Sequence, residues 1–322
     1  MTSTICTLFE AHYHYGLAAL VNSLHHHGYA GAIYAGYRGE LPNWALAAKK
    51  NSTLSWPGAT SLAVHDKITI HFLPLETEYH LTNYKPDFML RLWHGPAKDA
   101  AGMFYIDPDI VTSVRWSFFN DWICGGIALC EDVNSPLPVN HPRRLAWRRY
   151  FSTTSLRLKA RETIYANGGF VGLMKKNEGF LLLWKNVQET IAPEIGGLQC
   201  SSLTGTPLPP EARGPYAPFG KTDQDALNIT IEAWDGHVNF VGKEGMAFIH
   251  GAPMLPHALG QPKPWHLKPL TQALNGRALR RVDIEYWNYA NGPITSQNSG
   301  LVKRRKLALK LASFISRFYY RK

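Results

Sequence analysis

The chain has 322 residues, 45% of them hydrophobic and 12% aromatic, so it can bury a large core and is not a disordered polymer. Its formal charge of +10 sits in the C-terminus: eight of the 34 basic side chains (Lys303, Arg304, Arg305, Lys306, Lys310, Arg317, Arg321, Lys322) fall in 301–322 with no acid, and the other 26 nearly balance 24 acids. This distribution argues against a nucleic-acid-binding body, and four cysteines (Cys6, Cys124, Cys130, Cys200) without a CxxC pair argue against a zinc-thiolate site or a disulfide framework.

"STICTLF" (3–9) reads as an apolar first strand. "YGLAALVNSLHHHG" (15–28) has apolar residues at 17, 20, 21 and 24, a helical face that ends at Gly28. "GAIYAGY" (31–37) is the next strand and "WALAAKK" (44–50) the next helix. "KITIHFL" (67–73) alternates with period two, "YKPDFMLRLW" (84–93) is helical again, and "MFYIDPDI" (103–110) returns to a strand. Strand and helix in alternation imply an α/β fold, a mainly parallel sheet with helices on both faces. The N-terminus lacks a basic, cleavable leader and no apolar run approaches the ~18 residues of a membrane span, so a cytoplasmic location is expected.

In such sheets ligands bind beyond the carboxyl ends of the strands, where Asp107 and Asp109 flank Pro108. In extended backbone, side chains at i and i+2 point the same way, and proline stiffens the pair. Two carboxylates held together repel unless a cation or proton sits between them, so a divalent metal is one reading. A surface turn is the other, since Asp-Pro-Asp is ordinary turn chemistry.

Downstream lie "ALCEDV" (128–133), "YANGGFVGL" (165–173), "DQDALN" (223–228) and "HALGQPKPW" (257–265). With "YKP" and "YIDPDI", their order and spacing resemble glycosyltransferase family 8. Those are retaining nucleotide-sugar enzymes of GT-A, Rossmann-like fold, among them bacterial lipopolysaccharide galactosyl- and glucosyltransferases and glycogenin. The resemblance runs from about residue 4 to 266 and includes an intact H-x-x-G-x-x-K-P-W arrangement at His257, Gly260, Lys263, Pro264 and Trp265.

The resemblance implies a hexosyltransferase in which Asp107, Asp109 and His257 hold Mn2+ or Mg2+, the mixed oxygen and imidazole set suiting manganese. His250, in "FIHGAP", is the competing ligand; only His257 has the later residues at the family's offsets. UDP-sugar is the implied donor. Thr7, Leu8, Glu10 and Tyr13 would face the base and ribose, with Glu10 standing for the family's aspartate and His12 for its asparagine. Lys85 and Lys263 would meet the diphosphate, and Gly260 would permit close approach. Asp132, Asn167, Gly168, Asp223 and Gln224 would bind the sugar, with Asp223 and Gln224 nearest the reacting carbon. Asp223 also reads as an N-cap before "ALNITI". The implied acceptor is a glycan or glycolipid, and the alternative is a nucleotide-sugar-binding or nucleotidyltransferase protein without sugar transfer. The segment "NSPLPVNHPRRLAWRRYFSTTS" (134–155), basic and aromatic, suits an acidic or glycan acceptor.

Residues 1–295 are thus expected to form the catalytic domain and 296–322 a basic amphipathic segment. Leu307, Leu311, Phe314, Ile315 and Phe318 recur there at helical spacing. Such a helix either packs on the domain or lies on an anionic membrane surface with its aromatic rings at headgroup depth.

Overall fold

Ser3–Glu10 (β1) is buried along almost its whole length, as a central strand covered on both faces must be. Its alternate side chains enter different cores: Cys6 and Leu8 one, Ile5 and Phe9 the other. This computed structural model describes residues 2–160 and 163–318.

After β1 come α1 (His14–His26), β2 (Gly31–Arg38), β3 (Lys49–Lys50), β4 (Thr60–His65), β5 (Ile68–Pro74) and α2 (Lys85–Trp93). The middle of the chain forms β6 (Gly102–Ile106), α3 (Trp116–Trp122), β7 (Ile127–Glu131), α4 (Pro142–Phe151), β8 (Ala166–Met174) and α5 (Gly179–Ile191). Then follow β9 (Cys200–Ser201), β10 (Thr206–Pro207), α6 (Thr222–Ala233), β11 (Val238–Val241), α7 (Pro269–Leu274), α8 (Arg281–Tyr289) and α9 (Ser299–Ile315).

Among the described residues one nine-stranded sheet runs β11-β7-β8-β6-β1-β2-β5-β4-β3, and β9 and β10 form a separate pair. The centre β6-β1-β2-β5 is parallel, as the alternation of strands and helices predicts. β8 runs antiparallel to both β6 and β7, so its N-terminal end lies at the carboxyl edge of β6. Helices cover both faces: α2, α4, α5 and α6 contribute to one core, α1 and α3 to the other. The mixed α/β class is therefore as expected, with reversed strands on both flanks.

One element differs. "WALAAKK" is not a helix: Asn43–Ala45 make a single 3-10 turn, and Lys49 and Lys50 pair with Ser61 and Thr60 on β4. Its local helix propensity loses to backbone pairing at the edge of the sheet, where exposed lysines suit an outermost strand.

The C-terminal helix packs on the domain by one narrow stripe. Leu309 and Ala312 of α9 are buried, Leu309 in a small core with Trp265, Tyr286 and Trp287, and the Arg305 guanidinium donates to the Leu267 carbonyl at 2.7 Å. Of the five residues expected to share one apolar face, Leu307, Leu311, Phe314 and Phe318 are exposed, Phe318 by 75%, and Ile315 is half-buried. The helix thus packs on the domain by one stripe and presents another to solvent. Tyr319, Tyr320, Arg321 and Lys322 lie outside the described residues. No helix among the described residues is long and apolar enough to cross a membrane.

Candidate active site

β6 delivers Asp107 to the carboxyl edge of the sheet, where its N–H donates to the Gly169 carbonyl at 2.8 Å. The backbone then turns. The Ile110 N–H donates to the Asp107 carbonyl at 3.1 Å, so Asp107-Pro108-Asp109-Ile110 is a hydrogen-bonded β-turn with proline at its favoured second position. The extended geometry expected for the pair gives way to turn geometry, yet the turn is not a solvated surface loop: Asp109 is only 8% exposed. Gly16 explains the fit, since a Cβ there would stand 2.3 Å from the Pro108 carbonyl oxygen.

The segment after the turn pairs with the chain near 254–258. Val111 N–H donates to the Pro256 carbonyl at 3.2 Å, Ala258 N–H to the Asp109 carbonyl at 3.0 Å, and Ile110 faces His257 across a bridge. That pairing sets His257 Nε2 3.4 Å from Asp109 Oδ1 and 4.0 Å from Asp107 Oδ2. One ligand atom from each of the three residues lies within 4.8 Å of the others. His250 is exposed and no member of this group, so of the two histidines the fold brings His257 to the carboxylates.

The donors suit a divalent ion: two carboxylates and an imidazole converge, and they pack closely against the side-chain-free Gly169. A Cβ on Gly169 would come within 2.6 Å of His257 Cε1 and 3.0 Å of Asp107 Oδ2.

Two buried lysines flank the carboxylates. Lys85 Nζ donates to Asp223 Oδ2 at 2.9 Å and to the Gly168 carbonyl at 2.8 Å, and lies 3.6 Å from Asp107 Oδ1. Burial alone would push its ammonium down, but Asp107 and Asp223 outweigh burial and raise it. Lys263 Nζ donates to Asp109 Oδ2 and to the Ala258 carbonyl, and is likewise raised: burial is overcome by the charge of Asp109. For Asp109 burial pushes upward, and the charges and hydrogen bonds of His257 and Lys263 hold it well below the usual carboxylate range.

β8 supplies the opposite wall. Asn167 Nδ2 donates to Asp132 Oδ2 at 2.7 Å while its Oδ1 accepts from Gly169 N–H at 2.9 Å, so both ends of the amide are held. Gly168 N–H donates to Gln224 Oε1 at 3.2 Å. Asp223 and Gln224 stand in the first turn of α6. Asp223 is not its cap, because Lys221 occupies that position and Asp225 accepts from the Lys221 N–H at 2.8 Å. Free of capping, Asp223 reaches Lys85.

The end of β1 forms the third side. Leu8 packs in the core and Thr7 is buried with its hydroxyl unpaired, while Glu10 sits at the strand's end, 3.8 Å from an Arg38 guanidinium nitrogen. Ala11 follows at φ +47°, a left-handed conformation uncommon for a side-chain-bearing residue. It turns the chain so that the Tyr13 ring lies 5.4 Å from Lys263 Nζ and edge-on to Trp265. His12 Nδ1 accepts from the Trp265 indole at 3.0 Å. Gly260, at φ +66° with open space around it, makes the turn that leads to Lys263.

Sequence reading passed over Tyr105, Gly169 and Gly16. Tyr105 donates its hydroxyl to Asp107 Oδ1 at 2.7 Å and fixes that carboxylate. Its position two residues before Asp107 was the available signal; for the two glycines nothing local distinguishes them from other glycines.

No protein-family model and no curated protein matches the chain. Solved glycosyltransferases resemble it in structure at low identity. The glycosyltransferase GlyE of Streptococcus pneumoniae TIGR4 aligns with 97% of this chain at 12% identity and TM-score 0.49. The bifunctional glycosyltransferase WbbM aligns with 95% at 10% identity and TM-score 0.45. The galactosyltransferase LgtC, solved with donor and acceptor sugar analogues, aligns with 94% at 14% identity and TM-score 0.49. The chain spans 64% of the GlyE chain, 52% of the WbbM chain and 99% of the LgtC chain.

Proposed function

We propose that this protein is a metal-dependent glycosyltransferase that moves a hexose from a nucleotide sugar, a UDP-sugar, to a glycan or glycolipid acceptor with retention. The observation that carries the reading is the convergence of Asp107, Asp109 and His257 between two buried lysines, beside the hydrogen-bonded amide of Asn167 and carboxylate of Asp132. The order of motifs along the chain supports the same reading.

Cleaving the bond between anomeric carbon and phosphate leaves negative charge on the diphosphate and positive charge on the sugar. A bound divalent ion supplies Lewis-acid stabilisation of that diphosphate. Lys85 and Lys263, already oriented, add preorganised cations on either side of it. Asp132, Asn167 and Gly168 bind sugar hydroxyls, and Gln224, its amide oxygen held by Gly168, steadies the electron-poor ring. Glu10 and Tyr13 take the ribose and base.

We further propose that 1–295 acts as the catalytic unit and that 296–322 holds it on an anionic membrane surface, where a lipid-linked acceptor is presented. The exposed stripe Leu307, Leu311, Phe314 and Phe318, alongside exposed Lys303, Lys306, Lys310 and Arg317, supports this arrangement.

The deciding experiment is a screen of nucleotide sugars with manganese, with and without added acceptor glycans. Release of UDP that rises with acceptor, together with a glycosylated product, is the expected result. Donor binding without any transfer would make the chain a nucleotide-sugar-binding protein or a nucleotidyltransferase instead.

A further inference from the structure

A cleft of about 460 Å³ adjoins the site, lined in part by Asn134, Arg143, Ser201, Arg213, Pro215 and Lys221. No acidic side chain lines it. Two connections tie it to the residues described above. Asn134 N–H donates to Asp132 Oδ1 at 2.9 Å, and Asp132 in turn holds Asn167; Lys221 caps α6 two residues before Asp223.

The cations are differently prepared. Arg143 is buried, with one guanidinium nitrogen 3.2 Å from Asp225 Oδ1 and another donating to the Pro215 carbonyl at 2.8 Å, so its plane is fixed. Arg213 donates its Nε to the Leu208 carbonyl at 2.7 Å, which anchors the fork. Among the described residues neither Arg213 nor Lys221 makes a side-chain ion pair. Asp225 offsets the charge of Arg143, but Arg213 and Lys221 have no such ion pair among the described residues, and an anion between them relieves their mutual repulsion. Arginine forks match the planar or tetrahedral oxygens of carboxylate and phosphate, and the volume falls within the range of small-molecule pockets.

We infer that this cleft is an acceptor subsite for a sugar bearing an anionic substituent, carboxylate or phosphate, recognised by Arg213 and Lys221 against the fixed Arg143. The assignment of the cleft to the acceptor rests on the transferase reading; its preference for an anionic sugar does not.

The test is calorimetric titration of the full chain with digalacturonate, galactose 6-phosphate, neutral galactobiose and inorganic phosphate. At least one anionic sugar should bind tenfold or more tightly than galactobiose, and which one does so identifies the substituent. Arg213→Gln with Lys221→Gln should bring that difference within twofold. Both side chains are at least partly exposed, so the variant should keep the parent melting temperature. No preference for either anionic sugar, a preference that survives the double substitution, or inorganic phosphate binding as tightly as the sugars would each overturn the inference. UDP with manganese is titrated separately. If that binding is absent while the anionic sugar still binds, the transferase reading fails and the cleft remains an anionic-glycan site.

Discussion

Lys263 Nζ rests on the Asp109 carboxylate, on the side of that group away from its contact with His257. With Lys85 near Asp107, the two aspartates are each matched by a lysine, which lets like charges stay together in a buried turn. Removing either carboxylate therefore has two separable effects, on ion binding and on a buried cation. Asp107→Asn and Asp109→Asn should both abolish manganese binding measured by electron paramagnetic resonance. Asp109→Asn should also destabilise the fold, by roughly 3 kcal/mol, because Lys263 is left buried without its partner. Manganese bound at parental affinity in either variant would remove these residues from the metal site.

The two histidines are separated by a second pair of substitutions. His257→Ala deletes the imidazole 3.4 Å from Asp109, whereas His250→Ala trims an exposed side chain. Manganese affinity should fall at least tenfold in the first and stay within twofold in the second. The reverse order would mean that the pairing of 254–258 with the turn at 107–110 is misassigned.

Gly169→Ala tests the shape of the site without changing any charge. The added methyl meets His257 Cε1 at 2.6 Å, Asn167 Oδ1 at 2.9 Å and Asp107 Oδ2 at 3.0 Å, so at least one of these must move. A loss of manganese affinity of tenfold or more is expected from isothermal titration, with circular dichroism unchanged. Unaltered affinity would place the ion elsewhere.

Asp225 gives the fold a pH dependence of its own. Burial pushes its carboxyl up to about 6, only partly opposed by Arg143 and the Tyr165 hydroxyl. The folded chain thus keeps this proton at pH values where the unfolded chain, at the ordinary value of 3.8, has lost it. Stability from this group is greatest below pH 4 and falls as pH rises from about 4 to about 6, by about 3 kcal/mol at 1.36 kcal/mol per pH unit. Urea midpoints at pH 4.5 and 6.5 check this: the cost of Asp225→Asn should be smaller at the higher pH. An equal cost at both would refute the raised value.

The membrane proposal is tested on the exposed stripe itself. Truncation before α9 would uncover Trp287 and Tyr286, which share a core with Leu309. Leu307, Leu311, Phe314 and Phe318 replaced by Ser leave that packing alone. Parent protein should sediment with anionic but not neutral liposomes, less so at raised salt because exposed charges are screened. The quadruple variant should sediment several-fold less yet turn over a soluble acceptor normally. Parent protein that ignores anionic liposomes at low salt would end the membrane reading.

Most of the regular elements read from the first 110 residues, "WALAAKK" excepted, were legible because they are local. The alternation of β5 and the spacing of Leu17, Leu20, Val21 and Leu24 in α1 follow from side-chain direction within a few residues. Asp107 and Asp109 stood out by residue type and spacing, whereas Lys85, His257 and Lys263 entered only through the resemblance of the motifs to a family. What those residues do to one another was not local. The turn at Asp107–Ile110 depends on Gly16, some ninety residues earlier, and His257 reaches Asp109 only through backbone pairing across about 150 residues. Periodicity showed that the last helix has apolar residues at helical spacing, but which of them are covered was decided by Trp287 and Tyr286 on α8, which take Leu309 and leave Leu307, Leu311, Phe314 and Phe318 outside. A helix or strand is fixed by contacts a few residues apart; burial, ion pairing and the close approach of His257 to Gly169 are fixed by whichever distant segments the sheet brings alongside.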